Sequence, residues 1–136
     1  MLQDRLSDYA VTLLRISLGV MYLAHSVVLK LFTFGLAGTA GYFESIGLPG
    51  WLASVTFAAE AIGGIMLVLG IYARWVAVAL IPALIGAIIW VHSGNGWVFT
   101  APGGGWEYPL YLIILSVAQF LFGDGPHALR PSRAIQ

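Results

Sequence analysis

Four long apolar stretches make up most of the chain, at about residues 9–32, 51–72, 75–92 and 108–122. A helix needs about 20 mainly apolar residues to cross a bilayer core, with about 17–25 as the usual range. Each stretch fits that range or falls slightly short of it. Only "IYAR" (71–74) divides the second stretch from the third, so these two predict a tight helical hairpin. The pattern predicts an all-α integral membrane four-helix bundle, one domain over residues 1–136, with no internal repeat.

Two connections are longer. In "TFGLAGTAGYFESIGLPG" (33–50), Ala40, Phe43 and Ile46–Gly47 recur at helical spacing around Glu44 and Ser45. This predicts a short amphipathic helix lying at the membrane interface, started near Thr39 and stopped by Gly47 and Pro49. The segment "SGNGWVFTAPGGGWEYP" (93–109) is turn-rich and aromatic and reads as a loop or lid.

Composition supports the membrane reading. Only 9% of residues are charged and 60% are hydrophobic, and mean hydropathy is +0.90. Soluble domains carry about 25% charged residues. Six basic residues balance six acidic ones, which gives no footprint for nucleic acid. The absence of cysteine removes disulfides, thiolate metal sites and thiol redox chemistry on this chain. Asp4, Arg5 and Asp8 make no positive n-region, so the N-terminus is not expected to be a cleaved signal peptide. Arg5, Arg15, Arg74, Arg130 and Arg133 fall at one face of a four-span arrangement, and the other face holds Lys30 alone. Both termini are therefore expected to be cytoplasmic. Trp51, Trp90, Trp97 and Trp106 gather toward the outer interface as an aromatic belt would.

Ionisable groups inside a membrane span usually face the bundle interior and mark function. At 100° per residue, Arg15, Gly19, Tyr22 and Ser26 share a face of the first helix, with His25 on its flank. Glu60 shares a face of the second with Phe57, Gly64 and Leu67. The 1.5 Å rise puts Glu60 near the midplane, about 13 Å from Trp51. His25 lies at a similar or slightly more outward depth, and Lys30, His92 and Glu107 lie near the outer interface. The candidate ligand and proton cavity is thus Glu60, His25, Arg15, Tyr22, His92 and Glu107. Each residue also has a plainer reading. Glu60 and Arg15 can form a structural ion pair, which adds little because both charges are desolvated. Lys30 and Arg74 can snorkel to opposite surfaces. Glu107 can cap the fourth helix, His92 can be merely interfacial, and Tyr22 and Tyr111 can fill the core. Gly63–Gly64 and the series Ala79, Ala83, Ala87 read as packing faces.

The ordered set Arg15, Gly19, His25, Lys30, then Gly47-Leu48-Pro49, then Glu60-x-x-Gly63-Gly64 through Gly70 and Arg74, resembles the DoxX family of small bacterial membrane proteins. His92 with Gly96, Gly105-Trp106-Glu107-Tyr108-Pro109 and Gly123-x-Gly125 complete it. The chain departs from the family pattern at Ser26, where Gly is common, and in the tail "GDGPHALRPSR", which lacks the usual Ser-Leu-Asp ending. The resemblance implies a multi-pass protein of the bacterial inner (plasma) membrane, linked to thiosulfate:quinone or thiol-redox enzymes.

Three functions compete. The first is a quinone-site or accessory redox subunit, with His25 and Glu60 handling protons and Tyr22 or Arg15 as donor or charge partner. It holds no complete catalytic site of its own. No haem or iron–sulfur ligand set is visible, so neither cofactor is expected, and electrons and any sulfur chemistry must come from a partner enzyme. The second is a small-molecule or proton-coupled transporter, for which one four-helix chain is small without oligomerising. The third is a membrane scaffold for a soluble redox enzyme. No metal-ligand spacing is recognisable in His25, Glu60, His92 and Glu107. Expected partners are membrane lipid, a redox enzyme and further copies of the chain, and not nucleic acid.

Overall fold

The computed structural model describes residues 1–135 and is all-helical, with no strand element among them. Helix α1 (Leu2–Leu23) runs directly into a π-helical segment, Ala24–Thr33. Helix α2 (Gly35–Ser45) leads into α3 (Trp51–Leu69). A third rod consists of α4 (Ala73–Ala79), α5 (Ile81–Gly86), a second π segment (Ala87–His92) and a 3₁₀ turn (Ser93–Asn95). Helix α6 (Glu107–Phe122) closes the bundle.

Three rods, Leu2–Thr33, Trp51–Leu69 and Ala73–Asn95, are long and apolar enough to cross a membrane. Helix α6 is apolar but has only 16 residues, just under the expected span length. Burial is inverted relative to a water-soluble bundle. Leu13, Val20, Ile62, Ile65, Ile89, Ile114 and Leu121 are exposed, while Arg15, Ser26, Ser116 and Gln119 are almost wholly enclosed. Lipid as the solvent accounts for both halves of that pattern.

The helices pack through small residues. A Cβ at Gly19 would lie 2.7 Å from the Gly64 carbonyl oxygen, and one at Gly64 would lie 3.0 Å from that of Gly19. Two backbones in such contact gain dispersion energy that a larger side chain would forbid. The third rod is broken at Leu80 because Pro82 follows, which has no N–H and crowds the preceding turn.

Chain ends and turns meet at one end of the bundle. Helix α3 stops at Gly70 (φ 76°), whose N–H and that of Ile71 both bond the Met66 carbonyl. The tail then docks on this turn. Leu129 N–H bonds Leu69 O, Arg130 N–H bonds Gly70 O at 2.9 Å, and Tyr72 N–H bonds Arg130 O at 2.9 Å. Asp124 is buried and accepts from the Arg74 N–H at the start of α4 and from the N–H and hydroxyl of Ser132.

Helix α1 begins at Leu2, ahead of the apolar stretch that starts near Tyr9, because nothing in "LQDRLSD" breaks a helix. One boundary differs from the sequence reading. Helix α2 begins at Gly35, not Thr39. Thr39 lies inside it, its hydroxyl bonded to the Gly35 carbonyl at 2.8 Å, which is the back-bond of an interior threonine and not of a cap.

Candidate functional site

The first polar cluster is built by the switch from α1 to its π segment. At the junction the Ser26 hydroxyl donates to Tyr22 O (2.8 Å), and His25 Nδ1 bonds Met21 O (3.0 Å). Two carbonyls of the α ladder are thus engaged by side chains, which loosens the i→i−4 pattern where the wider i→i−5 pattern begins. The wider turn persists to Phe34, whose N–H bonds Leu29 O. It also redirects Lys30. Its ammonium donates to Glu60 Oε2 at 2.8 Å and lies 3.4 Å from the carbonyl of His25, five residues earlier. The pair is mostly enclosed, with side-chain exposures of 17% for Lys30 and 10% for Glu60.

Glu60 is therefore held by Lys30 and not by Arg15, and Lys30 does not snorkel to the surface. The register explains why. Arg15 bonds the carbonyls of Leu67 (2.9 Å) and Val68 (3.0 Å), and Gly19 touches Gly64. In antiparallel helices this puts Glu60 opposite Leu23, about 10 Å along the axis from the Arg15 contacts. Arg15 instead caps the C-terminal carbonyls of α3 and reaches the His127 carbonyl of the tail (3.4 Å). A cation suits the negative end of a helix dipole. Arg74 does the same for α6, with Nε donating to Phe120 O at 2.8 Å and the guanidinium over the Phe120 ring. Both arginines donate to backbone carbonyls at helix ends, and Arg15 lies within the field of the buried Asp124 carboxylate.

At the opposite end of the bundle from the termini is a cavity of about 670 Å³. His25 reaches it from the first π segment, His92 from the second, and Glu107 from the start of α6. Its walls are otherwise apolar and aromatic, including Trp97, Phe99, Tyr108 and Tyr111. The 96–106 loop forms one side and is tied down. Trp106 N–H bonds Gly96 O, Glu107 N–H bonds Trp97 O, and Phe99 N–H donates to Glu107 Oε1 at 2.9 Å. Trp97 and Trp106 pack edge to face. Gly105 is required here because any Cβ would strike the carbonyl oxygens of Trp97 and Val98.

His25, His92 and Glu107 share one property. His25 Nδ1 faces the Met21 carbonyl, and His92 Nδ1 faces the Gly104 carbonyl at 2.9 Å. A carbonyl only accepts, so each Nδ1 carries the hydrogen, and in a neutral ring Nε2 is left as the acceptor. Glu107 uses Oε1 on the loop and keeps Oε2. The two imidazoles and the carboxylate present hydrogen-bond acceptors.

Three of the six sequence candidates, His25, His92 and Glu107, thus line one cavity. Glu60 lies behind it, linked to His25 through Lys30. Tyr22 is buried in the core with its hydroxyl unpartnered, in the neighbourhood of Ser116 and Glu60. Arg15 lies at the far end. Sequence reasoning set Lys30 aside and missed Asp124, although "GDG" marks an acid fixed between two glycines of positive φ. Among the described residues no group of three or more His, Asp or Glu side chains converges as metal ligands do.

Comparison with known proteins adds the following. The DoxX family profile matches residues 10–93. A Bacillus subtilis (strain 168) protein named "Putative oxidoreductase CatD" is 36% identical over 119 residues, 88% of this chain and 83% of that protein. No solved structure matches the chain.

Proposed function

The chain belongs to the DoxX family, and from that premise we propose that it is a redox-linked membrane subunit whose cavity at His25, His92 and Glu107 receives a quinone-type ring. The observation that carries this reading is the cavity itself, about 670 Å³ with aromatic walls and lined by His25, His92 and Glu107. Ligand sites of this kind are mostly apolar with a few placed polar atoms. The similar Bacillus subtilis protein carries the name "Putative oxidoreductase CatD", which fits a redox role.

The acceptors of His25, His92 and Glu107 match the hydroxyls of the reduced form, and the other polar groups on the wall are the Tyr108 and Tyr111 hydroxyls and the Trp97 N–H. A quinone carbonyl needs a donor, whereas a quinol hydroxyl donates. Neutral imidazoles with hydrogen on Nδ1 accept such hydroxyls at Nε2 and can take their protons. A quinol in the cavity supplies two electrons and two protons. The chain's own residues orient the ring between Trp97, Phe99 and Tyr111, receive protons at His25 and His92, and hold the loop closed through Glu107. Electrons must pass to a partner enzyme. By the positive-inside rule the arginine-bearing end with both termini is cytoplasmic, so the cavity opens on the outer side of a bacterial plasma membrane.

The test is a binding titration of the purified protein in lipid nanodiscs, with a short-chain quinol and its quinone, read by quenching of Trp97. Tighter binding of the quinol, lost in His92→Gln with the helical spectrum retained, is expected. Equal affinity for both forms, or no saturable quenching, overturns the reading.

A further inference from the structure

The molecule has a second concavity, at the end that carries both termini. It is a groove of about 520 Å³. Met66 of α3 and Trp75, Val76 and Ala79 of α4 form its apolar floor, and Tyr72, Ser132 and Arg133 form its mouth. The apolar part follows α4 from the bundle end toward the membrane centre, and the polar part sits at the end itself. That is the polarity of a phospholipid, with headgroup outward and acyl chain inward.

The mouth is held in place by the fold. The tail is fixed to the 69–72 turn by three backbone hydrogen bonds, and Asp124 anchors Ser132 through two more. Arg130 is oriented by its Nε–H bond to the Tyr72 hydroxyl (2.9 Å) and lies over that ring at 5.7 Å. Arg130 and Arg133 are both exposed, and neither makes an ion pair among the described residues. Asp124, the acidic group beside them, is buried and already engaged by three donors. Arg133 makes the mouth cationic and Arg130 stands beside it over the Tyr72 ring, above an apolar floor that carries Trp75.

We propose that this groove is a binding site for an anionic phospholipid, with the phosphate at Arg130 and Arg133 and an acyl chain along Met66, Trp75, Val76 and Ala79. Guanidinium groups match phosphate oxygens bidentately. The arginine-rich end faces the leaflet where anionic lipid attracts juxtamembrane cations. The tail, which departs from the family pattern, then holds a lipid against the α3–α4 hairpin. This inference is independent of the ring-binding cavity, which lies at the other end.

Trp75 reports on the groove directly. The protein is reconstituted in nanodiscs containing brominated phosphatidylglycerol or brominated phosphatidylcholine, and fluorescence quenching is compared, with Trp75→Phe isolating the Trp75 signal. Preferential quenching by the anionic lipid is expected. Arg133→Gln should weaken the preference about fivefold, with Arg133→Lys restoring part of it. Arg133 makes no hydrogen bond that the fold depends on, so its loss leaves the bundle intact. Arg5→Gln, which removes an equal charge elsewhere at the same end, should leave the preference unchanged. Equal quenching by both lipids overturns the proposal. So does an Arg5→Gln effect equal to that of Arg133→Gln, which would indicate only diffuse surface attraction. Displacement by soluble glycerol phosphate would show a phosphate site with no use for the apolar floor, and overturns it too.

Discussion

Removing Lys30 should destabilise the bundle far more than removing Lys30 and Glu60 together. In Lys30→Met the apolar stem is kept and the ammonium is lost. Glu60 then has neither its 2.8 Å partner nor ready access to water, since its side chain is 10% exposed. Stripping one member from an enclosed pair costs about 3–5 kcal/mol, because the other charge stays behind uncompensated. Replacing both members by residues of similar shape is often neutral. Lys30→Met should therefore lose about 3 kcal/mol, roughly a hundredfold in the folding equilibrium, and Lys30→Met/Glu60→Leu should recover most of it. The assay is reversible unfolding in mixed micelles by titrating a denaturing detergent, followed by far-UV circular dichroism. All four corners of the double-mutant cycle should be measured. A loss below about 1 kcal/mol in Lys30→Met would show that the pair behaves as a solvated surface bridge and would refute the reasoning. Arg15→Leu should not rescue Glu60 variants, because Arg15 binds the far end of α3.

Arg15→Leu should itself lower stability by about 3 kcal/mol, since two charge-assisted hydrogen bonds to buried carbonyls are lost. It should also expose the His127–Arg130 segment to protease, as limited digestion would detect. Asp124→Ala removes a helix-start acceptor and the anchor of Ser132, and should cost about 1–2 kcal/mol in the same unfolding assay. Tyr22→Phe should change stability by less than about 1 kcal/mol, because the buried hydroxyl it deletes has no partner to lose. Quinol affinity should stay unchanged, as Tyr22 does not line the cavity.

Hydrophobic spacing was enough to locate the helices, the hairpin at Gly70 and the inward-facing polar positions, because lipid demands long apolar spans and hides charge. Side-chain partners were less legible. Angular arithmetic at 100° per residue assumes an unbroken α-helix, and both candidate histidines sit on π segments where it fails. Lys30 reads as a snorkelling residue because it lies near a helix end, and only the π turn shows that it reaches Glu60 instead. Arg15 and Arg74 were assigned to a carboxylate or to water because a helix C-terminus is an acceptor made of backbone, which a sequence does not spell out. Asp124 anchors the tail through contacts up to 50 residues apart. His92 and Glu107 were legible as outer polar groups, and His25 as one at or slightly outward of the Glu60 level. Their common orientation as acceptors depends on the carbonyls of Met21 and Gly104 and on the loop, and so on the fold.

The central claim is that a quinone-type ring occupies the cavity between the two π segments and the 96–106 loop. Photo-crosslinking with a diazirine-bearing quinol analogue in nanodiscs, mapped by peptide mass spectrometry, tests it most directly. Adducts on Trp97, Phe99 or Tyr111 are expected, suppressed by excess quinol and by His92→Gln. Adducts confined to lipid-facing residues such as Ile62 and Ile65, unaffected by competitor, would contradict it.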